Sequence, residues 1–177
     1  MNIRHEIITD RSKANILRIV NYIGDDAEQF KILVHLFLHD EEHISQRAIW
    51  AMAHSTGRHP QLIFPHLQQL LTYLQTGKPH DAGKRNIVKI LSEIVIPEHL
   101  QGQVLDICFN YLLSMQEAIA VKSFSMQVVF NISRNEPDLL RELAAVIEEQ
   151  MPYGSAGYRS RGRNILRAIH KILMEKE

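Results

Sequence analysis

One apolar pattern returns five times along this 177-residue chain, and the interval between returns restricts the fold more than any single motif does. Aligned on a small or amide-bearing residue, the copies are NILRIV from Asn15, AIWAMA from Ala48, NIVKIL from Asn86, SMQVVF from Ser125 and NILRAI from Asn164. Successive anchors lie 33, 38, 39 and 39 residues apart. The position after the anchor is Ile or Met in every copy: Ile16, Ile49, Ile87, Met126 and Ile165. The fourth and fifth positions on are apolar throughout, from Ile19 and Val20 to Ala168 and Ile169. At about 100° per residue these positions fall on one side of a helix, so each copy reads as an amphipathic helix with one buried stripe.

Further apolar segments with the same spacing lie between the copies: AEQFKILVHLFLH, QLIFPHLQQLLTYL, VLDICFNYLL and LLRELAAVIEEQ. Turn-forming clusters separate the segments, among them GDD at 24–26, GRHP at 57–60, TGKPHDAG at 76–83, IPEHLQG at 96–102, NEP at 135–137 and PYGSAG at 152–157. No sustained two-residue alternation argues for a sheet. The expected fold is all-α, with about nine helical segments forming a right-handed α-α superhelix of about four to five helix pairs, each buried against its neighbours. Asp10 and Asp81 each stand five residues before an anchor and are the expected helix caps.

In period and pairing the chain resembles the HEAT-repeat (armadillo-like) α-solenoid family from about Asp10 to its end. QLIFPHLQQLLTYL, with Pro65 expected inside a helix, is most similar to that family's pattern. The aspartate and arginine ladder common in the family is not visible, because the arginine-like position reads Ser12, Ser45, Gly83, Lys122 and Arg161. The expected organisation is a single domain over 1–177, with an incomplete N-terminal unit at 1–24 and repeats near 25–59, 60–97, 98–136 and 137–177.

Charge and cysteine content narrow the partners. Lys plus Arg equals Asp plus Glu at 20 each, so no overall field draws the protein to nucleic acid or an anionic membrane, and any such partner needs a local patch. The lone Cys108 lies in an apolar run and reads as a small buried hydrophobe. It leaves no intrachain disulfide and no zinc site built from several thiolates. No apolar leader and no run of about 20 apolar residues is present, which fits a cytoplasmic protein with no membrane partner.

The resemblance implies that the second helix of each pair lines an inner, concave surface. Residues opposite the buried stripe would face a partner there: Arg18 and Asn21, then Arg47 and His54, then Arg85 and Lys89, and finally Arg163, Arg167 and His170. The fourth copy interrupts this basic band with Phe124, Val128 and Asn131. Trp50 shares a column with Leu17, Val88 and Leu166 at the edge of the buried face, so it reads first as a contact between repeats and second as a ligand surface. The expected partner-binding set is therefore Arg47, Trp50, His54, Arg85, Lys89, Phe124, Val128, Arg163 and Arg167. Long cationic side chains that merely solvate an exposed helix face are the alternative reading. Two loops, TGKPHDAGKR and YGSAGYRSRGR, would add basic residues at one edge, the second presenting Tyr153 and Tyr158 beside Arg159, Arg161 and Arg163.

Chemistry finds little support. His35 and His39, one helical turn apart, could hold a metal with His43 or nearby carboxylates, but Leu36 stands where a metalloprotease needs glutamate. No nucleophile elbow, Cys and His pair or spaced carboxylate pair occurs. No catalytic residue, metal site or cofactor is assigned. The leading expectation is a non-enzymatic scaffold that binds a protein or peptide on its concave face. The alternative is nucleic-acid binding through phosphates, as in the HEAT-like DNA alkylation repair proteins that the chain resembles. Their catalytic acidic residue has no counterpart beside Trp50.

Overall fold

All five repeated stripes lie on α-helices in a computed structural model, which describes residues 1–76 and 78–175. The helices are α1 (Ile3–Thr9), α2 (Lys13–Ile23), α3 (Ala27–His39), α4 (Glu42–Arg58) and α5 (Leu67–Thr76), then α6 (Asp81–Glu93), α7 (Glu98–Leu113), α8 (Ile119–Ile132), α9 (Pro137–Gln150) and α10 (Ala156–Met174). Among the described residues there is no strand. The chain is all-α, and its helices stack on their neighbours as in a repeat array.

Short polar side chains start many of these helices by accepting the amide hydrogens that the first turn leaves free. Asn2 caps α1, Asp26 caps α3 and Ser155 caps α10. The expected aspartate caps are corrected at both positions. Ser12, not Asp10, accepts from Asn15 N at 3.1 Å to start α2, while Asp10 accepts from Ser12 N in the turn before it. At α6 the cap is His80, whose Nδ1 accepts from Gly83 N at 2.9 Å. Asp81 is the first helical residue, where its charge favours the helix N-terminus. Gly24 closes α2 at φ +52°, a left-handed conformation that glycine tolerates. Pro65 is corrected too: Pro60–Leu62 and Phe64–His66 form two 3-10 turns, and α5 begins only at Leu67. Proline lacks the amide hydrogen that a continuous helix needs there.

The chain divides into two compact units, Met1–Ile94 and Val95–Glu177. In the first, α4 packs against its hairpin partner α3 and lies between α2 and α6, so the three second helices form one row. In the second, α8 packs against its partner α7 and against α9 and α10. The repeated stripe explains both arrangements. Ile16, Ile49, Ile87, Met126 and Ile165 are all at most 4% exposed. The anchor has a polar task in the first copy, where Asn15 Nδ2 donates to Glu6 O at 2.8 Å and Asp10 O at 2.9 Å. Those bonds tie the start of α2 to the end of α1, where Glu6 O also accepts from Asp10 N. Among the described residues no helix is long and apolar enough to cross a membrane.

Candidate functional site

In the first unit the outward side of α2, α4 and α6 carries the expected basic residues, but most of them are occupied. Arg18 binds the Glu6 carboxylate and donates to Asn15 Oδ1 at 2.8 Å. Arg47 is half-buried and spends Nη1 on Ile7 O at 3.1 Å, which ties α4 to α1. Lys89 Nζ lies 2.9 Å from the Glu93 carboxylate one turn along α6. Arg85 is exposed and has no ion pair among the described residues.

Trp50 and His54 are half-buried neighbours on α4, their rings 5.9 Å apart. His54 opens on a shallow cleft of about 520 Å³ shared with Arg58, Lys89 and Glu93. Burial pulls the His54 pKa below the ordinary imidazole value, and the cations Lys89, Lys13 and Arg58 pull it further. At neutral pH His54 is therefore an uncharged polar group in a basic setting.

The second unit departs from expectation. Val128 does not face outward: it is 0% exposed, within the core that α8 makes with its neighbours. Phe124 is half-buried, and the Arg161 guanidinium lies 5.5 Å over its ring in a cation–π contact. The apolar patch expected around Phe124 and Val128 is thus one covered ring and one core residue. Tyr158 is also corrected, since it is 2% exposed and its hydroxyl reaches Gln150 Oε1, so it presents no ring for stacking. Arg159, Arg161 and Arg163 lie on α10, because Ser155 caps that helix two turns earlier than the glycine-rich stretch suggests.

That early start builds the clearest cationic feature. Arg159, Arg163 and Arg167 stand four residues apart on α10, which places them in one row along the helix. All three are exposed, and none of their side chains has an ion pair or hydrogen bond among the described residues. Between α8 and α10 a groove of about 350 Å³ presents Gln127, Ser160, Arg161 and Asn164.

One pair imitates a catalytic dyad. Ser45 Oγ lies 3.0 Å from His80 Nε2, but His80 Nδ1 already accepts from Gly83 N, so a neutral ring must carry its proton on Nε2. The imidazole donates to Ser45 and cannot act as its base. Ser45 Oγ donates its own hydrogen bond to Phe37 O at 2.6 Å, and the residue is 4% exposed. Cys108 is fully buried, and burial pushes its thiol up to about 12, which leaves no thiolate for chemistry. The His35 and His39 rings approach to 4.9 Å, while His43 turns to Glu41 at 3.4 Å. Among the described residues no group of three His, Cys, Asp or Glu is placed to hold a metal.

Residues 3–169 match the family model described as a HEAT repeat domain. No curated protein and no solved structure matches the chain.

Proposed function

Because the chain belongs to the HEAT repeat domain family, we propose that it is a non-enzymatic interaction module whose second helices bind an acidic protein or peptide. Arrays of this kind generally act as scaffolds for protein partners, their stacked helices offering extended surfaces. One observation carries the choice of an acidic partner: Arg159, Arg163 and Arg167 form an exposed row on α10, and none of the three has an ion pair among the described residues. The chain has as many acidic as basic residues, so that row is a local imbalance. In the first unit Arg85 offers a similar free cation, with Trp50 and His54 as nearby polar and aromatic surface. Arg47 and Lys89 contribute mainly to holding the helices together.

Charge reversal tests this reading. The Arg163→Glu/Arg167→Glu protein should keep the wild-type melting midpoint, since both side chains are exposed, and lose binding to a fluorescent glutamate-rich peptide that wild type retains at physiological salt. Equal binding by the two proteins would remove the arginine row from the function. A single-stranded oligonucleotide that binds wild type more tightly than the peptide, with affinity falling steeply in salt, would favour phosphate recognition instead.

A further inference from the structure

His35 and His39 stand one turn apart on α3, and their rings approach to 4.9 Å with a tilt of 47°. Both residues are exposed, and neither side chain has an ion pair or hydrogen bond among the described residues. Other histidines of the first unit are engaged. His43 turns to Glu41, His66 packs on Phe30, His54 on Trp50, and His80 caps α6.

The spacing of the two rings is that of a chelate. A metal–imidazole bond of about 2.1 Å puts each ring centroid about 3.2 Å from the ion, so two imidazoles meeting at a right angle or a tetrahedral angle stand about 4.5–5.2 Å apart. The observed 4.9 Å falls inside that interval. An i, i+4 pair on one helix face is also the way helical zinc sites present two imidazoles to one ion. No existing bond has to be given up for both rings to turn a nitrogen to the same point.

The surroundings favour a cation. His39 is the last residue of α3, where the helix carries its partial negative charge. The charged residues on either side are already paired: Lys31 with Glu28, and Arg4 with Asp40. Asp40 is not a third ligand, because both of its carboxylate oxygens accept from Arg4.

We propose that His35 and His39 chelate one divalent transition-metal ion of the class that imidazole prefers, such as zinc. Two protein ligands are fewer than the four of a closed structural zinc site, so the remaining positions belong to water or to an incoming side chain. The ion is therefore exchangeable. The site lies on α3, the first helix of its pair, and does not depend on the arginine row of α10.

Zinc chloride titrated into full-length protein at pH 7.5, in a buffer that does not bind metals, tests this. The chain has 10 histidines, so the readout is NMR of the individual rings. Saturable shifts of the His35 and His39 rings at one ion per chain are expected, with half-saturation below about 100 μM. His35→Asn and His39→Asn should each weaken binding about tenfold or more and, at exposed positions, keep the zinc-free melting midpoint. His43→Asn should bind as wild type does. Saturating zinc should raise the midpoint of wild type and leave those of the His35 and His39 variants unmoved. Shifts confined to other histidines, no saturation at millimolar zinc, either variant of the pair binding as tightly as wild type, or an equal loss in His43→Asn would each overturn the proposal.

Discussion

Ser45 Oγ and His80 Nε2, 35 residues apart in the chain, meet at 3.0 Å and join the start of α4 to the turn before α6. The same imidazole caps α6 through Nδ1, and the same hydroxyl satisfies Phe37 O at the end of α3. One neutral histidine thus connects three helices, with Tyr73 and Phe37 packed edge-on around it.

Acid should loosen this connection. A proton on Nδ1 would remove the acceptor that Gly83 N uses. Burial holds the His80 pKa below its ordinary value, and the same cause lowers His54 and His66. Each group binds fewer protons folded than unfolded. Their contribution is therefore fully present above the unfolded value of about 6.5 and is lost as pH falls through the lowered folded value. Urea midpoints measured from pH 7.5 down to pH 5 should fall, and His80→Asn, which keeps a capping acceptor, should flatten the fall. A midpoint that rises towards pH 5 would contradict the assignment.

Ser45→Ala removes the acceptor for His80 Nε2–H and the donor for Phe37 O while leaving the backbone untouched. The expected cost is about 1–3 kcal/mol, because two buried polar groups lose a partner. Denaturant unfolding measures it, and a change below about 0.5 kcal/mol, typical of an ordinary surface substitution, would show that the network carries no weight.

Two valines of the second unit separate core from surface. Val128 is 0% exposed and Val95 is 86% exposed. Val128→Asp places an unpaired carboxylate in the core and should cost at least about 4 kcal/mol, whereas Val95→Asp should stay within about 0.5 kcal/mol. Circular dichroism melts of the two variants make the comparison. Similar losses at both positions would reverse the placement of α8.

Glycines inside helices give a contrast of sign. A Cβ on Gly162 would lie 2.9 Å from Met151 Sδ and 3.0 Å from Ile147 Cγ2, so an alanine there requires both side chains to shift where α10 packs on the end of α9. A Cβ on Gly102 in α7 would meet nothing within 4 Å. Gly102→Ala should stabilise by about 0.5–1 kcal/mol through helix propensity. Gly162→Ala should lose that gain to overpacking and destabilise by about 1–2 kcal/mol. Calorimetry that finds Gly162→Ala the more stable variant would exclude the close crossing.

Much of the architecture was legible in the chain because an amphipathic stripe is a local property. Positions one, four and five beyond each anchor must share a helix face whatever the rest of the molecule does, and from Ile16 to Ile169 nearly all of them are buried. The AEQFKILVHLFLH segment became α3 with the same ends, since its apolar spacing and flanking aspartates define it without tertiary help. The surface was less legible. Periodicity places Val128 away from the stripe, but α8 is enclosed by α7, α9 and α10, so nearly its whole circumference is core. How many neighbours surround a helix is not written in that helix.

The chain by itself determined the helical stripes, their period and hence the repeat family, because each follows from spacing within a few turns. Tertiary structure decided what each polar residue is free to do. Arg47 and Arg163 occupy similar positions beside their anchors, yet α1 lies within reach of Arg47 and supplies Ile7 O, while nothing among the described residues reaches Arg163. Lys122 and His80 were set in the same way, one against Gln150 and the other between three helices. Availability depends on which groups distant segments bring within about 3 Å, and the order of residues along one helix carries no record of that.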